Sequence, residues 1–276
     1  YDDDPGWQLY MNALDCMYEK NAIKIDIAGT VESISKIDKE VLYKCYNTFY
    51  HPSNMVMVLC GDFNPEEMLE EVKKRLVKRE KQAEIKRIYP TEKEEINKKY
   101  KETKMEVSKT LFMIGFKDKT NQENLVTRHI AIEILLNMLI GKSSKLYQKL
   151  YNEGLLMGQP DLDYEFTSDY AHVLIGGQSK NPEKIKEELL KEIQNLKNEF
   201  DEERFERIKK KIYGDYVVEY NNISDVARML LSDYFKNIES FDYIEQYSTV
   251  TAEFTKQILD EIFDENKCIL SVVKTK

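Results

Sequence analysis

The chain alternates between apolar stripes at helical spacing and short continuous apolar runs, the pattern of an α+β protein. Asp4 and Pro5 open the first helix, followed by Trp7, Tyr10, Met11, Leu14, Met17 and Tyr18 on one face. Residues Ile23 to Val31 read as extended. Asp38 caps a second helix with the stripe Val41, Leu42, Cys45, Tyr46 and Phe49, and His51-Pro52 ends it. The run Met55 to Leu59 predicts a buried strand, and Asn64-Pro65 opens a helix burying Met68, Leu69, Val72 and Leu76.

From about Lys78 to Lys104 charge replaces apolar residues, which predicts a solvated, extended linker. Beyond it, Val107 to Phe116 predicts a strand. Asn121 to Ile140 predicts a long helix burying His129, Ile130, Ile134, Leu135, Met138 and Leu139, and Gly141 stops it. A short helix follows over Ser144 to Asn152, then paired strands between Leu162 and Gly177. Asn181-Pro182 and Asp201 cap two more helices. Two further helices precede a final cap, helix and strand from Thr251 to Val273.

Two stretches superimpose without a gap at an offset of 213 residues: Ile37–Val41 on Val250–Phe254, Phe49-Tyr50 on Ile262-Phe263, and Met55–Met57 on Cys268–Leu270. Each reads as apolar residue, cap, acidic first turn, helix, loop and buried strand. The repeat predicts a duplicated α+β domain. The expected boundaries are 1–80 for a truncated first copy, 81–104 for the linker and 105–276 for a complete second copy. The same offset expects the first copy to begin about 106 residues before Tyr1, and a chain opening on Tyr1 rather than Met agrees with that.

Composition removes several function classes. Hydrophobic residues make up 42% of the 276 residues, enough for a packed core. A net charge of −9 opposes nucleic-acid binding, because a phosphate backbone demands a basic face. No apolar run reaches the roughly 18 residues of a membrane span. Cys16, Cys45, Cys60 and Cys268 lack metal-site spacing and read as buried free thiols in a reducing, cytoplasmic setting.

Catalytic motifs are missing as well. Gly176-Gly177 is no phosphate loop, and no Gly-x-Ser-x-Gly elbow occurs. His51 sits in a loop without ligand-type neighbours. His129 and Glu133 share a helix face but read as a boundary pair, and His172 reads as structural beside Tyr170. Asp161 and Asp163 read as ordinary loop and strand residues. The segment is expected to hold no catalytic residue and no metal ligand.

Four blocks carry a resemblance: Tyr1–Pro5 with Trp7, Ile27–Ile34, Phe49–Met55, and Gly61-Asp62. In order and spacing they resemble the insulinase (pitrilysin) zinc peptidases, which include the mitochondrial processing peptidases and bacterial relatives. The resemblance implies duplicated α/β-sandwich domains with a mixed or antiparallel sheet and packed helices, an α+β fold of the LuxS/processing-peptidase type, and a clam-shell chamber admitting unfolded peptides. It also implies zinc held upstream by a His-x-x-Glu-His motif and a further glutamate. The chain would be a chamber-wall segment of a zinc endopeptidase, itself without zinc, with peptide substrates and a possible homologous partner subunit. A non-catalytic partner or scaffold of the same fold is the other reading. The family's substrate-contacting Arg and Tyr fall on Tyr151 and Met157 here, flanking Gly154-Leu155. Tyr151 lacks the charge and Met157 lacks the hydroxyl that would stabilise an oxyanion.

Overall fold

A computed structural model describes residues 1–77, 79–120 and 123–276. The helices are α1 Pro5–Met17, α2 Val31–Ile34, α3 Lys39–Phe49, α4 Pro65–Arg75, α5 Leu125–Ile140 and α6 Lys145–Asn152. They continue with α7 Pro182–Asn198, α8 Glu202–Glu219, α9 Ile223–Lys236, α10 Asp242–Thr249 and α11 Ala252–Ile262. The strands are β1 Tyr100–Met105, β2 Leu111–Lys117, β3 Asp161–Phe166, β4 Ala171–Gln178 and β5 Cys268–Thr275.

Contacts group the chain into two units. One comprises Tyr1–Ala28, Tyr89–Asp215 and Phe241–Lys276, the other Gly29–Ile88 and Tyr216–Ser240. The first unit is a sandwich around one mixed sheet of order β1-β5-β2-β4-β3, with β1 parallel to β5 and every other pair antiparallel. The apolar helix α5 packs with α7 and α11 on one face. On the other face α1 lies along β1, β5 and β2, where Leu14, Met17 and Tyr18 join Leu174 and Ile269 in a buried cluster. Gly115 of β2 permits that approach, since a Cβ there would meet the Met17 sulfur at 3.1 Å.

The charge-based boundaries 1–80, 81–104 and 105–276 do not coincide with these units. The stripe of α1 is buried on a sheet whose strands all lie beyond Lys99. The charged stretch also contributes β1, so it is not an extended linker throughout. Its alternate side chains are half-buried, and Asn12 Nδ2 donates to Thr103 Oγ1 at 2.9 Å. The strand expected at Val107 begins instead at Leu111. The start expected for the long helix at Asn121, like Lys78 at the head of the charged stretch, lies outside the described residues. Ile23 to Val31 is not extended throughout: a 3-10 turn covers Ala22–Lys24, and Thr30 caps α2.

The repeat is visible in detail. α3 and α11 are both 11 residues long, capped by Asp38 and Thr251 and followed by 3-10 turns at Pro52–Asn54 and Glu265–Lys267. Their C-cap residues Tyr50 and Phe263 share the same backbone conformation, φ/ψ −88°/56° and −86°/61°. The copies diverge at the strand. Cys268, Leu270 and Val272 are at most 3% exposed within β5, whereas Met55, Met57 and Leu59 are 56%, 63% and 49% exposed and form no strand. A strand is held by its neighbours, and among the described residues none pairs with Met55–Leu59. The same lack of cover leaves Val41, Leu42, Tyr46 and Phe49 of α3 exposed, with Leu69 and Leu76 in the next helical segment, where the stripes predicted burial. Of the thiols read as buried, Cys16 and Cys268 are; Cys60 is half-buried and Cys45 exposed.

Candidate functional site

The two substituted positions lie in one closed turn of the first unit. Ser144 caps α6 by accepting from Tyr147 N at 3.0 Å, and the helix runs to Asn152. Gly154 adopts φ +66°, a left-handed value suited to glycine, and turns the chain back. Leu150 O then accepts from both Leu155 N and Leu156 N, and Met157 N donates to Gln178 O at 3.2 Å. Tyr151, 53% exposed, stacks on Tyr147 with ring centroids 5.8 Å apart. Met157 is half-buried. The pair offers an aromatic platform and a thioether, with one O–H donor and no cation.

The chain passes through Gly158 to Pro160 into the edge strand β3. Each β3 residue and its β4 partner share a face, so Asp161 stands beside Gly176, Asp163 beside Leu174 and Glu165 beside His172. Tyr164 and Phe166 point the other way and pack against His129 of α5. α1 covers β1, β5 and β2, and between it and β3 lies a groove of about 450 Å³. Its floor is Met113, Leu174 and Gly176, one wall is Leu9 and Tyr10, and the other carries the three carboxylates. The missing side chain at Gly176 keeps that floor low.

Beneath one end of the groove lies a buried polar network. Tyr18 Oη is 3.0 Å from Ala171 O and 2.9 Å from His172 Nδ1. Nε2 of His172 has no hydrogen-bond partner and lies 3.6 Å from Glu165 Oε2, which accepts from the Tyr10 hydroxyl at 3.3 Å. Burial pushes the His172 imidazole down to about 3, so the ring is neutral at physiological pH. Burial, and then the Glu165 charge, raise the Tyr10 phenol.

A second pocket of about 450 Å³ lies over Tyr18, Glu92 and Lys117. Glu92 accepts from the backbone of Glu19, Lys20 and Asn21 at 3.0, 2.7 and 2.7 Å. It also pairs with Lys117 Nζ at 3.0 Å. Burial pushes the Glu92 carboxyl up, but the three N–H donors and Lys117 outweigh it and hold the group at about 2. Every Lys117 Nζ proton is used, the others by Lys93 O and Glu95 O, so this assembly reads as a clamp on the connector.

Among the described residues no three His, Cys, Asp or Glu side chains group as a metal site. His129 Nε2 lies 3.7 Å from Glu133 Oε1, and its Nδ1 pairs with Tyr243 Oη. His51 caps the 3-10 turn at Pro52–Asn54. These donors do not fit zinc. No helix among the described residues is long and apolar enough to cross a membrane. The groove, the buried His172 network and the Glu92 clamp escaped sequence reasoning. The period-two carboxylates Asp161, Asp163 and Glu165 were the signal for the first.

Comparison with known proteins agrees with this architecture. The chain is 33% identical over 268 residues to the uncharacterized zinc protease YmfH of Bacillus subtilis (strain 168), covering 95% of this chain and 62% of that relative's length. The crystal structure of an M16-like peptidase from Alicyclobacillus acidocaldarius superimposes with a TM-score of 0.92 at 31% identity, covering 100% of this chain and 67% of that one. A protease from Helicobacter pylori shares the fold, with a TM-score of 0.85 at 20% identity, over 99% of this chain and 67% of that one. Residues 36–212 match the family described as Peptidase M16 inactive domain, and the chain belongs to that family.

Proposed function

We propose that this chain is part of a zinc-dependent endopeptidase that cleaves peptides or unfolded polypeptides in a closed chamber, and that it forms chamber wall without the zinc site. One observation supports this above the others. The cap, helix and turn of residues 38–54 recur at 251–267, yet only the second copy's strand sits in a sheet. The exposed Met55, Met57 and Leu59 fit a sheet contributed by upstream sequence, where the metal ligands would lie. On this reading residues 1–80 derive from one copy of the repeat and 105–276 from the other. Four cysteines in the free-thiol state suit a cytoplasmic location.

A second reading rests on Tyr151 and Met157. With neither cation nor hydroxyl at those respective positions, the chain suits a pair of homologous subunits in which the partner supplies the substrate-contacting groups, or one in which this chain is the non-catalytic scaffold. The test compares the full-length parent with the 276-residue segment for bound zinc and for cleavage of quenched fluorescent peptides. The parent is expected to hold zinc and cleave, alone or with a homologous partner, and the segment to do neither. Tight equimolar zinc on the segment would falsify the assignment.

A further inference from the structure

The charged stretch between α4 and β1 is held along only part of its length. From Glu92 to Lys98 it is fastened to the end of α1. Glu92 accepts from the backbone of Glu19, Lys20 and Asn21 and pairs with Lys117. Asn97 N and Lys98 N both donate to Cys16 O, at 2.8 and 2.9 Å, and Asn97 Nδ2 donates to Asp15 O at 3.0 Å. These donors satisfy carbonyls that the last turn of a helix leaves without partners. Lys93 and Lys98 are tied as well, to Glu19 and Asp15.

Residues 79–88 differ in every respect but charge. They form no helix or strand, and among the described residues their one hydrogen bond is Gln82 Nε2 donating to Thr48 O at 3.3 Å. Arg79, Lys81, Lys86 and Arg87 are exposed and have no ion pair among the described residues, and Ile88 is 94% exposed. An endopeptidase needs an exposed, extended segment whose backbone N–H and C=O groups are free, and this stretch offers one.

A cut there leaves the N-terminal piece in place. α1 precedes it and all five strands follow it, yet Leu14 and Met17 of α1 are fully buried with Leu174 and Ile269. Ser271 Oγ donates to Leu9 O at 2.9 Å, and the Tyr18 hydroxyl lies 3.0 Å from Ala171 O. The clamp stays on the C-terminal side, so its bonds to α1 become bonds between the two pieces.

We propose that residues 79–88 are a processing site, cut by an endopeptidase specific for lysine or arginine, and that the pieces remain joined as a two-chain protein. Water adds across the cut amide, the new carboxyl group staying on the lysine or arginine and the new amino group on the residue after it. The inference goes beyond the peptidase reading and does not depend on it.

The test is limited trypsin digestion of the full-length protein, carrying a C-terminal affinity tag, in native buffer. Mass spectrometry is expected to place the first cuts within residues 1–276 after Arg79, Lys81, Lys86 or Arg87, about tenfold or more ahead of Lys93 and Lys98. Capture on the tag is expected to retain the α1 fragment, and denaturant to release it. Glu92→Ala, which opens the clamp, is expected to bring cutting after Lys93 close to the rate at Arg87. First cuts after Lys93 or Lys98 in the unaltered protein, an α1 fragment that washes off the tag, or Lys93 still protected in Glu92→Ala overturns the proposal. None of these results touches the peptidase reading, which stands or falls on zinc and cleavage.

Discussion

Glu92 and Lys117 form an ion pair at 3.0 Å with side chains only 10% and 4% exposed, and through it the charged connector is locked to α1 and β2. The carboxylate also accepts from three backbone N–H groups at the end of α1, so each member of the clamp holds the other. Glu92→Gln would leave a buried ammonium without its charge partner. Such losses cost about 3–5 kcal/mol, and urea unfolding should show a drop of that size. Lys117→Met, which removes the cation too, should cost less.

Two groups give the fold an acid sensitivity with separable windows. Unfolded His172 takes up a proton below its ordinary pKa near 6.5, while the folded ring resists until about 3. Protons therefore favour unfolding as pH falls from about 6.5. By pH 5 the loss should approach 2 kcal/mol, at about 1.4 kcal/mol per pH unit. Glu92 acts lower: its stabilisation is complete above about 4.5 and disappears as pH falls toward 2. Denaturant midpoints at pH 7, 5 and 4 test this, and His172→Phe should flatten the upper window only.

The approach of α1 to the sheet depends on Gly115. A Cβ there meets Met17 Sδ and the Ile269 side chain at 3.1 Å, so Gly115→Ala should destabilise by about 1–3 kcal/mol through overpacking. Adding Met17→Ala removes the clashing sulfur. The double variant should then lose less than the two single changes combined, which thermal melts can read.

The repeat offers an internal control on burial. Met57 and Leu270 are equivalent positions, one exposed and the other in the centre of the sheet. In this 276-residue segment Met57→Asn should stay within about 0.5 kcal/mol of the parent sequence. Leu270→Asn should cost about 3 kcal/mol or more. If the upstream sequence supplies a sheet, Met57→Asn becomes costly in the full-length protein.

Tyr151 and Met157 can be tested by restoring the family's pair. Tyr151→Arg with Met157→Tyr in the full-length protein should raise kcat without a partner subunit. A single oxyanion donor is worth about a hundredfold or more. No change in kcat would count against the turn as a substrate-contacting site.

Much of this architecture could be read from the chain. Caps at Asp4, Asp38, Asn64, Asn181 and Thr251 all formed as their residue types dictate. The 213-residue offset holds down to matching C-cap dihedrals. Strand β1 escaped because Tyr100 to Lys104 has almost no apolar residue, and its place at the sheet edge demands none. Met55 to Leu59 misled for the opposite reason, since apolar character marks a wish for a sheet without supplying one. The acidic wall of the groove looked ordinary because Asp161 and Asp163 acquire their setting only beside Gly176 and Leu174, neighbours fixed by the β3–β4 register.

Strand β5 lies between β1 and β2, although β1 precedes it by more than 160 residues. During synthesis, β1 therefore has no neighbour until residues 268–275 have left the ribosome. The hairpin of β3 and β4 can form early, while the connector waits. Maturation of this unit is consequently a late event, and a nascent chain stalled after Phe263 would display an open β2 edge to chaperones and proteases.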